Sequence, residues 1–429
     1  ISYNIVGSYA FYNRKEIKDL IAYLKLIYNN KDDVSLLRVI NYPKRGIGNK
    51  AIENLAIKSN VLDKSLYEVI DSGKELEFKN MIEEIKLTKY SHGGGCGCKI
   101  APQVLDDILK SNVAFTHFDN LLVGNEGRDD AAVYQLNDNQ CLIATTDFFT
   151  PIVDDPYIFG QVAAANALSD VYAMGGRPVL ALAILGWPIN KLPVEVAQQV
   201  MEGGRSICHE AGVPVAGGHS IDSPEPIFGL AVNGLVEMRY LKQNNGAKEG
   251  DFLLLTKPIG VGIYATAVKR KVIEPQDLDS FYQQLIQVNK IGELLGRLDV
   301  VHAITDVTGF GLGGHLVEMA TGSGLTAELY YNAIPKLDVK KYLTNNVFPD
   351  ATYRNWNGYG DKIDFAPTVD ALEAFQLLPD PQTNGGLLVA VSPEGLAEVQ
   401  QLLAENGYHA FQEPIGRFVQ GNDKKVMVV

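Results

Sequence analysis

The chain alternates strand-like and helix-like apolar runs through most of its length, which constrains its fold more than any single motif. Gln140–Phe149, Pro178–Trp187 and Ile227–Val236 read as strands, and Tyr157–Met174 and Val194–Ala211 read as helices rich in small residues. Neither element buries its apolar side alone, so this order predicts helices laid against a sheet. A second block of the same texture starts near Gly246. There Phe252–Thr256, Ala303–Asp306 and Gly386–Val391 read as strands, and Phe281–Leu298 and Pro393–Asn406 as helices. No short-period repeat of the solenoid kind is present.

The first 86 residues differ. Ile17, Leu20, Ile21, Leu24 and Ile27 fall at helical spacing within Arg14–Tyr28, and Val34–Ile40 and Ala51–Ile57 repeat that habit around a basic turn, Pro43–Gly48. Asp71–Lys86 is highly charged with a helix-like pattern and reads as a linker. The expected organisation is a helical segment over residues 1–86, an α/β domain over 87–245 and an α+β domain over 246–429. The chain begins at Ile1 rather than a methionine, which leaves room for an upstream part.

Charge is uneven along the chain. The net charge is −13, but residues 1–86 carry 14 Lys and Arg against 12 Asp and Glu, so the remainder stands at −15. An acidic body of this kind disfavours sequence-independent binding to a phosphate backbone, while magnesium can still bridge carboxylates to a nucleotide. Four cysteines, two of them separated by one residue, do not make a secreted disulfide framework, and a reducing compartment such as the cytoplasm is expected. No signal peptide or membrane span is expected, because Asp170 and Arg177 interrupt the most apolar region, Tyr157–Ile189.

Candidate chemistry concentrates in a few places. Ser91–Lys99, reading Ser-His-Gly-Gly-Gly-Cys-Gly-Cys-Lys, sets two thiols and an amine on a pliable backbone. Lys99 beside Cys96 and Cys98 favours thiolate, although the stretch read alone is equally a flexible linker. Asp129, Asp130, Asp147, Asp170 and Asp306 fall where strands or helices meet turns, where carboxylates serve either as magnesium ligands or as ordinary caps. Asp170 stands out because it interrupts an apolar helix and needs a partner there. Gly217-Gly218-His219-Ser220 follows an apolar run and could expose backbone N–H groups to phosphate, though an ordinary turn explains it as well. The same holds for Gly309–Gly314 and Asn384-Gly385-Gly386. His219 and His315 read as structural histidines before bases, and no P-loop is present.

Taken together, these motifs resemble the selenophosphate synthetase (selenide, water dikinase) family over residues 87–429. The resemblance rests on Leu-Thr-Lys-Tyr-Ser-His-Gly-Gly-Gly-Cys-Gly-Cys-Lys-Ile at 87–100, the run ending Gly-Arg-Asp-Asp-Ala-Ala-Val at 127–133, and Thr-Thr-Asp-Phe-Phe at 145–149. Asn-Ala-Leu-Ser-Asp at 166–170, Gly-Gly-His-Ser-Ile-Asp-Ser-Pro-Glu-Pro at 217–226, Thr-Asp-Val-Thr-Gly-Phe-Gly at 305–311 and Asp-Pro-Gln-Thr-Asn-Gly-Gly-Leu at 380–387 complete it. It implies the two-domain fold, α/β then α+β, of aminoimidazole ribonucleotide synthetase (PurM-like), with the N-terminal half pairing in a homodimer. It implies conversion of ATP, selenide and water to selenophosphate, AMP and phosphate with Mg2+, supplying selenium for selenocysteine and selenouridine, and a selenium-delivery protein as partner. Carried over by position, Cys96 handles selenium and Lys99 sits near the phosphates. Asp130, Asp170 and Asp306 match magnesium ligands; Gly127, Arg128, Asp129, Asp147, Asp170, Gly218, His219 and Ser220 match nucleotide contacts.

Residues 1–72 resemble an internal piece of a UvrD/PcrA-type superfamily 1 DNA helicase, through Ile5-Val6-Gly7, Phe11–Asp19 and Asn41–Gly48. The piece has neither a Walker A loop nor an acidic magnesium motif, so a non-functional fusion fragment is the preferred expectation. A DNA-binding or helicase-accessory protein is the alternative, and another synthetase of the same fold acting on an amide or amine is a second. The Cys96–Lys99 loop argues against that second alternative, which needs no thiol there.

Overall fold

The computed structural model describes residues 14–71, 85–91, 93–99, 104, 108, 118–124 and 129–429. The chain divides into two compact units, Ile1–Ile85 with Trp187–Gln198 and Lys86–Gly186 with Gln199–Val429. Most of the proposed linker, residues 72–84, lies outside the described residues.

The smaller unit contains helices α1 (Lys15–Tyr28), α2 (Asp33–Val39), α3 (Asn49–Leu62) and α4 (Leu66–Asp71). The Asp32 carboxylate accepts the Ser35 N–H at 3.0 Å and starts α2. At the other end Arg45 Nη1 donates to the carbonyls of Val39, Ile40 and Tyr42 at 2.8, 2.9 and 3.1 Å. The basic turn therefore turns its arginine onto its own backbone. Leu20, Leu24 and Ile27, apolar at helical spacing, are exposed.

In the larger unit the first sheet holds β1 (Leu121–Val123), β2 (Ala132–Gln135), β3 (Gln140–Phe149), β4 (Arg177–Trp187), β5 (Val215–Asp222) and β6 (Ile227–Glu237), in the order β1-β2-β3-β6-β4-β5. β3 and β6 pair antiparallel from Gln140 opposite Glu237 to Phe149 opposite Phe228. Alternation sorts β3 into a buried set, including Cys141, Ile143 and Phe149, and an exposed set, Ala144, Thr146 and Phe148. Helix α5 (Pro156–Ala173) packs against β3 and β6. It begins with Pro at its first turn and the Asp155 carboxylate capping the Ile158 N–H at 2.8 Å. α5 is buried almost all round, because strand β8 and helices of the C-terminal half cover its other side. Phe159, Val162, Leu168 and Val171 are fully buried, each contributing about 1.5–3 kcal/mol of transfer free energy. Helix α6 (Val194–Glu210) follows β4.

The second sheet is built from β7 (Phe252–Leu255), β8 (Val301–Asp306), β9 (Thr326–Leu329), β10 (Ile363–Phe365), β11 (Leu387–Val391), β12 (Gly416–Val419) and β13 (Val426–Val428), ordered β10-β13-β9-β12-β7-β11-β8. β11 is buried along its whole length between β7 and β8, with Leu387 opposite Asp306. Helices α7 (Val261–Lys269), α8 (Pro275–Ile286), α9 (Ile291–Gly296), α10 (Gly311–Gly322) and, further on, Ala351–Tyr359 surround it.

Two local expectations change. The helix expected over Phe281–Leu298 is split into α8 and α9, because the Gln287 carbonyl accepts Lys257 Nζ at 2.7 Å and Asn384 Nδ2 at 2.8 Å instead of a helical N–H. The turn expected at Gly217–Ser220 is instead part of strand β5, which runs on to Asp222. A Cβ at Gly218, where φ is +149°, would stand 1.9 Å from the Ala183 carbonyl oxygen on β4, so close strand pairing is what requires glycine there.

Candidate active site

The glycine-rich stretch folds as a single 3-10 turn, Gly95–Cys98, held to both halves of the larger unit. The Gly95 N–H donates to the Thr150 carbonyl at 3.0 Å, and the Cys96 N–H to Thr383 Oγ1 at 2.9 Å. Gly95 has φ +54°, and a Cβ there would lie 2.4 Å from that same Thr383 oxygen. The turn therefore needs glycine for both dihedral and space. It buries Cys96 to 1% exposure and directs Sγ at Asn166 Oδ1, 3.4 Å away on α5.

The Asn166 amide is oriented by its neighbours. Oδ1 accepts the Asn384 N–H at 2.7 Å and Nδ2 donates to Asp147 Oδ2 at 2.5 Å. Sγ faces an acceptor and so sits here as a donating thiol. Asp147, on the buried face of β3, also pairs with Lys99 Nζ at 3.6 Å. Thr145, two residues earlier on that face, donates to Asp170 Oδ2 at 2.5 Å. The period-two strand and the i, i+4 spacing of Asn166 and Asp170 on α5 thus set two polar pairs side by side.

Asp306 ends β8 with 1% exposure, and its neighbour Thr305 donates Oγ1 to Asp130 Oδ1 at 2.9 Å. Burial pushes Asp306 up to about 6, with the Ser169 hydroxyl and Lys99 opposing the rise. Burial, then the charges of Asp306, Asp129 and Asp170, holds Asp130 well above the usual carboxylate range. Asp170 is raised likewise by burial, Asp147 and Asp306. Burial works against the charge of Lys99, but Asp147, Cys96, Asp170 and Asp306 outweigh it and raise the amine. Asp130 Oδ2 and Asp306 Oδ2 are buried without a hydrogen-bond partner. Crowded carboxylates with unpaired oxygens, opposed among the described residues by Lys99 and by Lys257, whose charge burial disfavours, form a site short of positive charge.

The larger unit carries this site on a fold seen elsewhere. Residues 128–236 match the N-terminal domain, and residues 248–429 the C-terminal domain, of the AIR synthase related proteins. Thiamine-monophosphate kinase from Stenotrophomonas maltophilia superposes with a TM-score of 0.52 at 20% identity, over 72% of this chain and 91% of that one. A HypE–HypF complex gives 0.52 at 18% identity, over 76% of this chain and 95% of the neighbour. At these identities the likeness shows the two-domain PurM-like fold. A selenide, water dikinase of Pseudomonas putida is 54% identical over 352 residues, covering 81% of this chain and all of the relative. The chain belongs to the selenide, water dikinase family. The counterpart from Aeromonas hydrophila is 53% identical over 337 residues, covering 78% of this chain and 96% of the relative.

Within this dikinase-family chain the structure brings Cys96, Lys99, Asp130, Asp147, Asp170 and Asp306 together. Gly127 and Arg128 lie outside the described residues. Asp129 accepts the Asn244 N–H at 3.3 Å, and burial raises it to about 6. Gly218, His219 and Ser220 lie exposed along β5, the edge strand of the first sheet.

Sequence reasoning passed over Asn166, Lys257 and Thr383. Asn166 was legible as the residue one helical turn before Asp170. Lys257 follows the apolar strand β7 and is fully buried, donating to Gln287 O at 2.7 Å and Asn384 O at 2.9 Å. Burial lowers it to about 7, with Asp306 opposing. Thr383 carried no signal of its own.

His315 is structural. Its Nε2 accepts the Thr308 N–H at 3.1 Å, fixing the turn after Asp306, and burial lowers it to about 3. Between about pH 3 and 6.5 the unfolded chain takes up a proton here that the folded chain refuses, so this contribution to stability is lost as pH falls from 6.5 towards 3. Thermal melting should show that His315→Asn loses less of its midpoint between pH 7 and 4.5 than the parent does. Parallel acid limbs would refute this placement of the proton.

Proposed function

We infer that this chain makes selenophosphate from ATP, selenide and water, releasing AMP and phosphate. The observation that carries this reading is the burial of Cys96 against the Asn166–Asp147–Lys99 network, beside Asp170 and Asp306. A thiol and an ammonium at the edge of a carboxylate cluster suit a soft nucleophile meeting a triphosphate. Lys99 offsets charge on the transferred phosphoryl group, and Cys96 holds selenium in line for attack on the γ-phosphorus. Water then cleaves the remaining diphosphate to AMP and phosphate. Positioning and electrostatics provide most of the acceleration in such transfers.

The carboxylates fit a hard divalent cation. The orphaned oxygens of Asp130 and Asp306, with Asp170, would hold Mg2+, which when bound neutralises phosphate charge. Among the described residues no group of three His, Cys, Asp or Glu side chains is placed to hold a metal ion by itself, so such an ion would need ligands from water and phosphate as well.

A homodimer accounts for the placement of Gly218, His219 and Ser220. The outward face of the first sheet exposes Tyr134, Phe148 and Leu182, continuing to Ile221 on edge strand β5, more apolar surface than a lone sheet face comfortably presents. A second copy seated there would bring that strand into a shared site. Phe148→Asp with Ile221→Asp should halve the mass measured by sedimentation; an unchanged dimer would exclude this face.

A selenium-delivery protein is the further partner this chemistry implies. No described helix is long and apolar enough to cross a membrane. The reading is tested by AMP release from ATP with selenide and with amine acceptors. AMP should form only with selenide, and amine-dependent ADP would favour another synthetase of this fold.

A further inference from the structure

A cavity of about 390 Å³ lies beside the cysteine turn, walled by Gly93, Gly94 and Gly97 with Pro151 and Ile152. None of Asp130, Asp147, Asp170 and Asp306 lines it. Its charged lining is Lys269 and Arg270 at the end of α7, Arg354 on the helix Ala351–Tyr359, and Asp350. Among the described residues, three cations against one carboxylate is the reverse of the surrounding body, whose residues 87–429 sum to −15. A cationic cavity in an acidic protein selects anions.

Its position relative to the thiol is as telling as its charge. Arg354 Nη2 donates to the Gly97 carbonyl at 3.0 Å, and Thr383, whose hydroxyl receives the Cys96 N–H, also lines the cavity. The cavity is thus separated from Cys96 by the glycine turn itself, with Ile152, Pro381 and Thr383 packed beside it. Selenide at neutral pH is the monoanion HSe−, which the carboxylate cluster repels on the nucleotide side. An approach from behind the turn avoids that repulsion.

We propose that the cavity lined by Lys269, Arg270 and Arg354 is the anion site through which hydroselenide reaches Cys96 from behind the glycine turn. This rests on the selenophosphate reading above and extends it to the route of the substrate. Arg354 serves two ends there, holding the Gly97 carbonyl and lining the anion site. The same chemistry would accept a departing inorganic phosphate, so the test must separate entry from exit.

Initial rates of AMP release are measured against selenide and against ATP for the parent, Lys269→Gln, Lys269→Gln/Arg270→Gln and Lys269→Arg. The double variant should raise the KM for selenide about tenfold, the cost of losing charge-assisted contacts, while the KM for ATP stays within twofold; Lys269→Arg should recover the selenide KM. An unchanged selenide KM, or an equal rise in both, overturns the proposal. Bromide, a monoanion of similar size, should compete with selenide and not with ATP. Crystals soaked in bromide should show an anomalous peak between Lys269 and Arg354 that the double variant lacks. No peak overturns the anion site even in an enzyme that turns over selenide, whereas a parent without selenide-dependent AMP overturns the activity and leaves the bromide result to decide the site. Phosphate that displaces bromide, with the selenide KM unchanged in the variants, assigns the cavity to product and overturns the entry role.

Discussion

Cys96→Ser is expected to bind ATP as the parent does and to release AMP in response to selenide roughly 10²–10³-fold more slowly, the cost of deleting one group that acts during reaction. Serine fits the space, because Cys96 is buried and its Sγ faces the Asn166 amide oxygen, which a hydroxyl can also approach. The turn should therefore keep its hold on Thr150 and Thr383, and folding should be preserved. What the hydroxyl lacks is a soft, polarisable sulfur near Lys99. Steady-state AMP release with equilibrium ATP binding separates the two effects; equal turnover would remove Cys96 from the chemistry.

Asp306→Asn should lose nearly all magnesium-dependent turnover and yet yield a more stable protein when no divalent cation is present. The folded chain holds a proton on Asp306 up to about pH 6, whereas an unfolded aspartate loses it near the ordinary value of 3.8. Its contribution is complete below that lower value and is lost as pH rises through 6. At pH 7 the charge is buried at a cost, and the asparagine variant avoids it, by roughly 1–3 kcal/mol. Melting curves at pH 5 and pH 7 with a chelator should show the parent falling and the variant falling less. Magnesium should raise the parent's midpoint at pH 7 and barely move the variant's. A variant that melts lower than the parent at pH 7 under chelator would contradict the account of this cluster.

The parts of the fold legible in the sequence were those with a strong period. Gln140–Phe149 is a strand as read, and the helix expected from Tyr157 runs Pro156–Ala173, because sheet and helix faces both leave apolar periodicities. The failures have tertiary causes. The break at Gln287 follows from hydrogen bonds sent by Lys257 and Asn384, and β5 runs through its glycines because β4 lies close alongside. The site was legible as a set of residue types: a thiol, an amine and carboxylates at the ends of elements. Their common location was not, since Asp306 is delivered by a different sheet from Asp147 and reaches α5 only when the two halves pack. Asn166 shows the middle case, visible from its spacing to Asp170 and meaningful only once Cys96 is seen above it. The cationic cavity was hidden altogether, because Lys269, Arg270 and Arg354 are unremarkable surface charges until the glycine turn is laid against them.

The most direct measurement is a phosphorus NMR time course of the full chain with ATP, magnesium and selenide under reducing, anaerobic conditions. The account predicts one selenophosphate, one AMP and one phosphate for each ATP consumed, with no reaction when selenide is left out. ADP accumulating as the end product, or the same spectrum without selenide, would contradict it.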